Sequence, residues 1–134
     1  MSDLNTASKK ILIVDDEPNI LELYSEVLMD AGFQIDTASN GNEALQKAAD
    51  NVYDLILLDI MMNDGPDGLE CLRTMKGDQN TYKKPIIVML TNLALTNNVK
   101  EAFDHGAEGY LIKLTLSNEQ LVKKVKGFLQ GFGG

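Results

Sequence analysis

A chain of 134 residues has room for one domain with a buried core and none for a second of ordinary size. With 12 Lys and Arg against 20 Asp and Glu, the net charge of −8 repels a phosphate backbone, which argues against direct nucleic-acid binding. A single cysteine, Cys71, and a single histidine, His105, leave no internal disulfide and no Cys/His metal set, and the polar start followed by only a short apolar run predicts neither signal peptide nor membrane span, so a reduced, cytoplasmic setting is expected.

Residues 1–8 are expected to be disordered and residues 131–134 to be a flexible tail, leaving 9–130 as one folded domain. Ile11 to Val14 reads as the first strand. Pro18 then opens a helix whose apolar face is Ile20, Tyr24, Val27, Leu28 and Ala31, stopped by Gly32. Phe33 to Ala38 is the second strand, and Asn40 with Glu43 resembles a capping box for a helix using Ala44, Leu45 and Ala48. Leu55 to Leu58 is the third strand; after the turn-rich Asn63 to Gly68, the spacing of Leu69, Leu72 and Met75 predicts a third helix, closed by Gly77 and a polar loop to Pro85. Ile86 to Leu90 is the fourth strand, Val99 to Gly106 marks a fourth helix, and Gly109 to Ile112 is the fifth strand. Ser117 with Gln120 caps a last helix carrying Leu121, Val122, Val125, Phe128 and Leu129. Short apolar runs alternating with helix-period segments imply an α/β protein with a doubly wound, five-stranded parallel sheet, (βα)5, as a single domain.

Parallel strands place their carboxyl ends along one edge, where ligands of open α/β sheets bind. Four runs stop there on polar residues: Asp15 and Asp16, Asp59, Thr91, and Lys113. Three carboxylates in one pocket repel by roughly 4 kcal/mol per pair at about 4 Å and an effective dielectric near 20, so they either hold protons or recruit a cation. An all-oxygen set suits Mg²⁺, which takes one or two carboxylates and keeps several waters. Each residue also has a plainer reading: Asp15 and Asp16 as helix caps, Asp59 as a loop opener, Lys113 as a surface lysine, Thr91 as a β-former, and Tyr110 as a half-buried aromatic.

Taken together, Asp15-Asp16, Asp59, Thr91, Tyr110 and Lys113, with Gly106-Ala107 between Thr91 and Tyr110, resemble the receiver domain of bacterial two-component response regulators, of the stand-alone single-domain type. The resemblance implies a flavodoxin-like fold and a signalling phosphoacceptor rather than a classical enzyme. Asp59 would take the phosphoryl group from a sensor histidine kinase or histidine phosphotransfer protein. Asp16, Asp15, Asp59 and the backbone carbonyl of Met61 would hold Mg²⁺, Lys113 would neutralise phosphoryl oxygens, and Thr91 with Tyr110 would form the switch pair. The fourth helix, fifth strand and last helix would then present an altered face to a downstream protein, the chain being a monomer or a phosphorylation-dependent dimer.

Several positions depart from the family pattern. Leu114 follows Lys113 where proline, usually with a cis bond, is common; Gly68 lies nine residues after Asp59 rather than eight; Asn92 replaces a small alanine. A cis bond to leucine costs about 3 kcal/mol, so the loop either carries that strain or takes a trans path that re-aims Lys113. These departures motivate an alternative, a degenerate receiver that binds partners without phosphorylation. A dehalogenase-type phosphatase is disfavoured because Met61 stands where its second aspartate belongs, and a flavin carrier because Asp15-Asp16-Glu17 repels a flavin phosphate. Met61 and Leu93 are expected to flank the approach of water to the phosphoryl group, while Cys71 and His105 receive no role.

Overall fold

A computed structural model describes residues 5–92 and 96–131. A 3₁₀ turn at Thr6–Ser8 is followed by β1 (Lys10–Val14), α1 (Pro18–Asp30), β2 (Gln34–Ala38), α2 (Gly41–Asp50), β3 (Leu55–Asp59), α3 (Gly68–Gly77), α4 (Gln79–Tyr82), β4 (Ile86–Thr91), α5 (Asn97–Asp104), β5 (Gly109–Ile112) and α6 (Asn118–Leu129). All strand pairs are parallel, in the order β2-β1-β3-β4-β5. This is the doubly wound, flavodoxin-like arrangement, and its strand order reverses between β1 and β3.

The two-residue period of each strand divides the apolar runs between two cores. Ile11 and Ile13 of β1, Leu55 and Leu57 of β3, and Val88 and Leu90 of β4 pack with α1 and α6 on one face. Leu12 and Val14, Ile56 and Leu58, and Ile87 and Met89 pack with α2, α3 and α5 on the other. Every position of β3 is buried, as a central strand covered on both faces requires. Each such Leu or Ile contributes roughly 1.5–3 kcal/mol by leaving water.

Several local expectations are refined. Of the segment expected to lack order, residues 1–4 lie outside the described residues; within the rest, Thr6 Oγ1 donates to the Ala31 carbonyl at 3.0 Å and Gln34 Nε2 to the Ala7 carbonyl at 2.6 Å. The polar stretch after Gly77 contains the helical turn α4, capped by Asp78. Asn40 caps α2 through the Glu43 N–H, but the Glu43 carboxylate turns back to the Ser39 N–H at 2.8 Å, so the reciprocal half of the box goes one residue further. The box at Ser117 and Gln120 is complete, and a second complete one, Asp67 with Glu70, starts α3. Gly32, at φ +102°, ends α1 in the left-handed region that glycine adopts without strain.

Candidate functional site

The backbone carries four polar residues to the carboxyl edge by running the parallel ladder slightly past its apolar runs. Asp59 and Thr91 are the last residues of β3 and β4, while the Asp15 N–H donates to the Ala38 carbonyl at 3.1 Å and the Lys113 N–H to the Thr91 carbonyl at 2.7 Å. Among the described residues, Asp15 (0% exposed), Asp59 (3%), Thr91 (8%) and Lys113 (6%) are the buried polar or charged ones, and all four sit here. Gly68 is forced by the same packing: a Cβ there would fall 1.9 Å from the Asp59 carbonyl oxygen. The lengthened loop before it is seated rather than loose. The Asn63 N–H donates to Asp16 Oδ2 at 3.3 Å, the Gly68 N–H donates to the Ile60 carbonyl at 2.9 Å, and the Pro66 carbonyl lies against Gly41 at the start of α2.

Lys113 is the centre of the charge cluster. Its Nζ lies 2.7 Å from Asp15 Oδ2, 3.0 Å from Glu17 Oε1 and 3.2 Å from Asp59 Oδ2. Asp15 Oδ1 accepts the Glu17 N–H at 2.9 Å and Asp59 Oδ1 the Met61 N–H at 3.2 Å. Asp15 Oδ2 and Asp59 Oδ2 are at ion-pair distance from Nζ, yet neither receives a directed hydrogen bond, so each buried oxygen keeps lone pairs to offer. Burial, then the neighbouring Asp15 charge, pushes the Asp59 carboxyl up to about 7 against the pull of Lys113. Burial raises Asp15 as well. Burial alone would lower the Lys113 ammonium, but its contacts with Asp15 and Glu17 outweigh that and raise it above the usual lysine value. Carboxylate oxygens of Asp15, Asp16 and Glu17 lie within 4.8 Å of one another. With one ammonium among four carboxylates, the cluster has surplus negative charge and can coordinate a metal ion through hard oxygen donors.

The path of the chain after Lys113 is now fixed. The described residues contain no cis peptide; Leu114 follows a trans bond at φ +62° and is 69% exposed. The strain is therefore carried at Leu114, about 1–2 kcal/mol for a left-handed residue with a Cβ. Lys113 still reaches both aspartates. Having an N–H that proline would lack, Leu114 donates to the Tyr24 hydroxyl at 3.4 Å. Tyr110 is half-buried and meets Phe103 edge-to-face, centroids 6.1 Å apart at 84°. In register it pairs with Met89, two residues before Thr91, which pairs with Ile112. Met61 is 64% exposed, its Sδ 3.6 Å from Asn98 Nδ2; Leu93 lies outside the described residues.

A family model described as the response regulator receiver domain matches residues 11–126. The chain belongs to this family. As a receiver, it is a signalling domain rather than a classical enzyme. It is 40% identical over 125 residues to the transcriptional regulatory protein ResD of Bacillus subtilis (strain 168), covering 93% of this chain and 50% of the relative. The receiver thus spans about half the length of the curated relatives it matches. Among solved structures it resembles the chemotaxis response regulator CheY4 of Vibrio cholerae, at 35% identity and a TM-score of 0.80, covering 88% of this chain and 96% of that one. A putative response regulator from Chloroflexus aurantiacus matches at 32% identity and a TM-score of 0.82, covering 91% and 98%.

Sequence reasoning placed Asp15, Asp16, Asp59, Thr91 and Lys113 on one edge; the structure buries Asp15, Asp59, Thr91 and Lys113 there and leaves Asp16 half-buried beside Asp15. It missed Glu17 as a partner of Lys113 and Tyr24 as the acceptor for Leu114. The run Asp15-Asp16-Glu17 signalled excess acid for the first; for the second, only the one-turn spacing of Tyr24 from Ile20 pointed inward. Cys71, which received no role from the sequence, is buried on α3, its thiol pushed up to about 12, chiefly by burial.

Proposed function

We propose that Asp59 accepts a phosphoryl group from a phosphohistidine, presented by a sensor histidine kinase or a histidine phosphotransfer protein. The observation that carries this reading is the Lys113 ammonium 3.2 Å from Asp59 Oδ2 at the buried carboxyl edge. Asp59 Oδ2 is the nucleophile in an in-line displacement, its bond to phosphorus forming as the P–N bond to the histidine breaks. Lys113, already paired with Asp59, turns from the carboxylate to the equatorial phosphoryl oxygens. Asp15, Asp16, Asp59 and the Met61 carbonyl would hold Mg²⁺, and the open lone pairs of Asp15 and Asp59 fit that donor set. When bound, the ion supplies positive charge against the phosphoryl oxygens.

Aspartyl phosphate carries nearly two negative charges and several acceptor oxygens, which draw the Thr91 hydroxyl inward. Tyr110 then changes its packing against Phe103, altering the face made by α5, β5 and α6. A downstream protein reads the change only by binding one state more tightly. Replacing Met61 by alanine should open a water path and shorten the phosphoprotein's lifetime. This reading expects a cytoplasmic protein, in keeping with the absence, among the described residues, of any helix long and apolar enough to cross a membrane.

Incubation with acetyl phosphate or phosphoramidate and Mg²⁺ tests the proposal. Intact mass should show one added phosphoryl group, lost in Asp59→Ala. An unmodified wild-type protein would favour the degenerate, phosphorylation-independent alternative.

A further inference from the structure

A groove of about 1120 Å³ lies away from the acidic edge, between α1 and α6. Its floor is apolar, with Leu23 39% exposed beside Val27 and Val122. Its two walls have opposite net charge. The α1 wall carries Glu26 and Asp30, part of an i, i+4, i+8 ridge that begins at Glu22, and α1 has no basic residue in its last turn. The α6 wall carries Lys123 and Lys126, with one acid, Glu119, in its first turn. Among the described residues none of these charges forms an ion pair, within the groove or outside it. Asp30 is also opposed by the dipole at the end of its own helix, so a cation brought there is favoured twice.

We infer that this groove is a two-fold contact surface for a second copy of the chain, with each α1 laid on the partner's α6. A purely acidic or purely basic partner would be repelled by one wall, whereas the chain itself carries both charges in the required separation. α1 and α6 follow parallel strands and cover the same sheet face, so they run side by side in the same direction. Two symmetric dockings of the groove on its copy follow. A dyad across the helices sets α1 on α1, acid against acid. A dyad along them sets α1 on α6, so Glu26 and Asp30 meet lysines twice per dimer while Leu23, Val27 and Val122 leave water. Charge selects the second.

Sedimentation of the whole chain over a range of concentration tests this. The mass should rise from 14.7 kDa toward twice that value. Glu26→Lys and Lys123→Glu, each exposed on its helix, should each weaken association tenfold or more, with unchanged circular dichroism. An equimolar mixture of the two should associate again, because every contact in the heterodimer is then between opposite charges, and the double variant should recover by itself. A wild-type chain that stays at monomer mass, single variants that associate like wild type, or a mixture that fails to recover would each overturn the proposal.

Discussion

Two clusters at opposite ends of the sheet use the same residue types and reach opposite electrostatic states. At the amino end, Lys10 Nζ lies 3.4 Å from Asp36 Oδ2, whose carboxylate also accepts the Tyr53 hydroxyl at 2.6 Å, and the Lys10 N–H donates to Asp54 at 2.8 Å. Lys10 and Asp36 are each about one-third exposed, their charges balance, and although burial works against it, the Tyr53 hydrogen bond and Lys10 hold Asp36 below the usual carboxylate value. At the carboxyl edge, Lys113, Asp15 and Asp59 are all but fully buried, carboxylates outnumber ammonium, and Asp59 is raised to about 7. Burial and charge surplus, not residue identity, turn an ordinary ion pair into a site that wants a cation.

The comparison is broken most severely by removing Lys113. Lys113→Met leaves two buried carboxylates facing each other and should cost about 3–5 kcal/mol by urea denaturation at pH 8 without metal, with a smaller loss at pH 5, where protons can replace the ammonium. A loss independent of pH would show that the lysine acts through packing alone.

The next effect is on pH dependence. Asp59 has a folded value near 7 against an ordinary 3.8, so the folded state binds the proton more tightly. Its contribution is fully present below about pH 4 and is lost as pH rises through 7. Metal-free protein should therefore lose on the order of 2–4 kcal/mol across that window, Asp15 acting in the same direction. Mg²⁺ should raise the melting temperature more at pH 8 than at pH 5; an equal shift at both would count against a cation replacing protons at Asp59.

Leu114→Gly sharpens the contrast by removing strain while keeping the N–H to Tyr24. It should stabilise by about 0.5–1 kcal/mol in thermal unfolding and leave acetyl-phosphate labelling intact. Leu114→Ala, which keeps a Cβ, should give no such gain. The smallest change belongs to the amino-end cluster: Asp36→Asn should cost under about 1 kcal/mol, because a half-solvated pair is screened. A larger loss would mean that the two clusters are less different than their exposure implies.

How much of this was legible in the sequence follows from what each signal depends on. The strands were, because β1, β3 and β4 are buried on both faces and leave unbroken apolar runs; the runs slightly understated their ends, since the ladder continues into Asp59 and Thr91. Placing Asp15, Asp59, Thr91 and Lys113 on one edge needed only parallel topology. The turn α4 was hidden because Gln79–Tyr82 has no buried residue to set a period. Glu17 on Lys113, the trans path at Leu114 and the seating of Pro66 on Gly41 depend on how loops settle over a finished sheet. No local pattern encodes that.

The central claim is that the buried carboxylate at the end of β3 is the nucleophile, and borohydride trapping with peptide mapping tests it most directly. After treatment with acetyl phosphate and Mg²⁺, reduction of an acyl phosphate converts its aspartate to homoserine, and the account predicts that change at Asp59 alone. Conversion at Asp15, Asp16 or Glu17 instead, or an unreduced Asp59 in protein that carries phosphate, would contradict it.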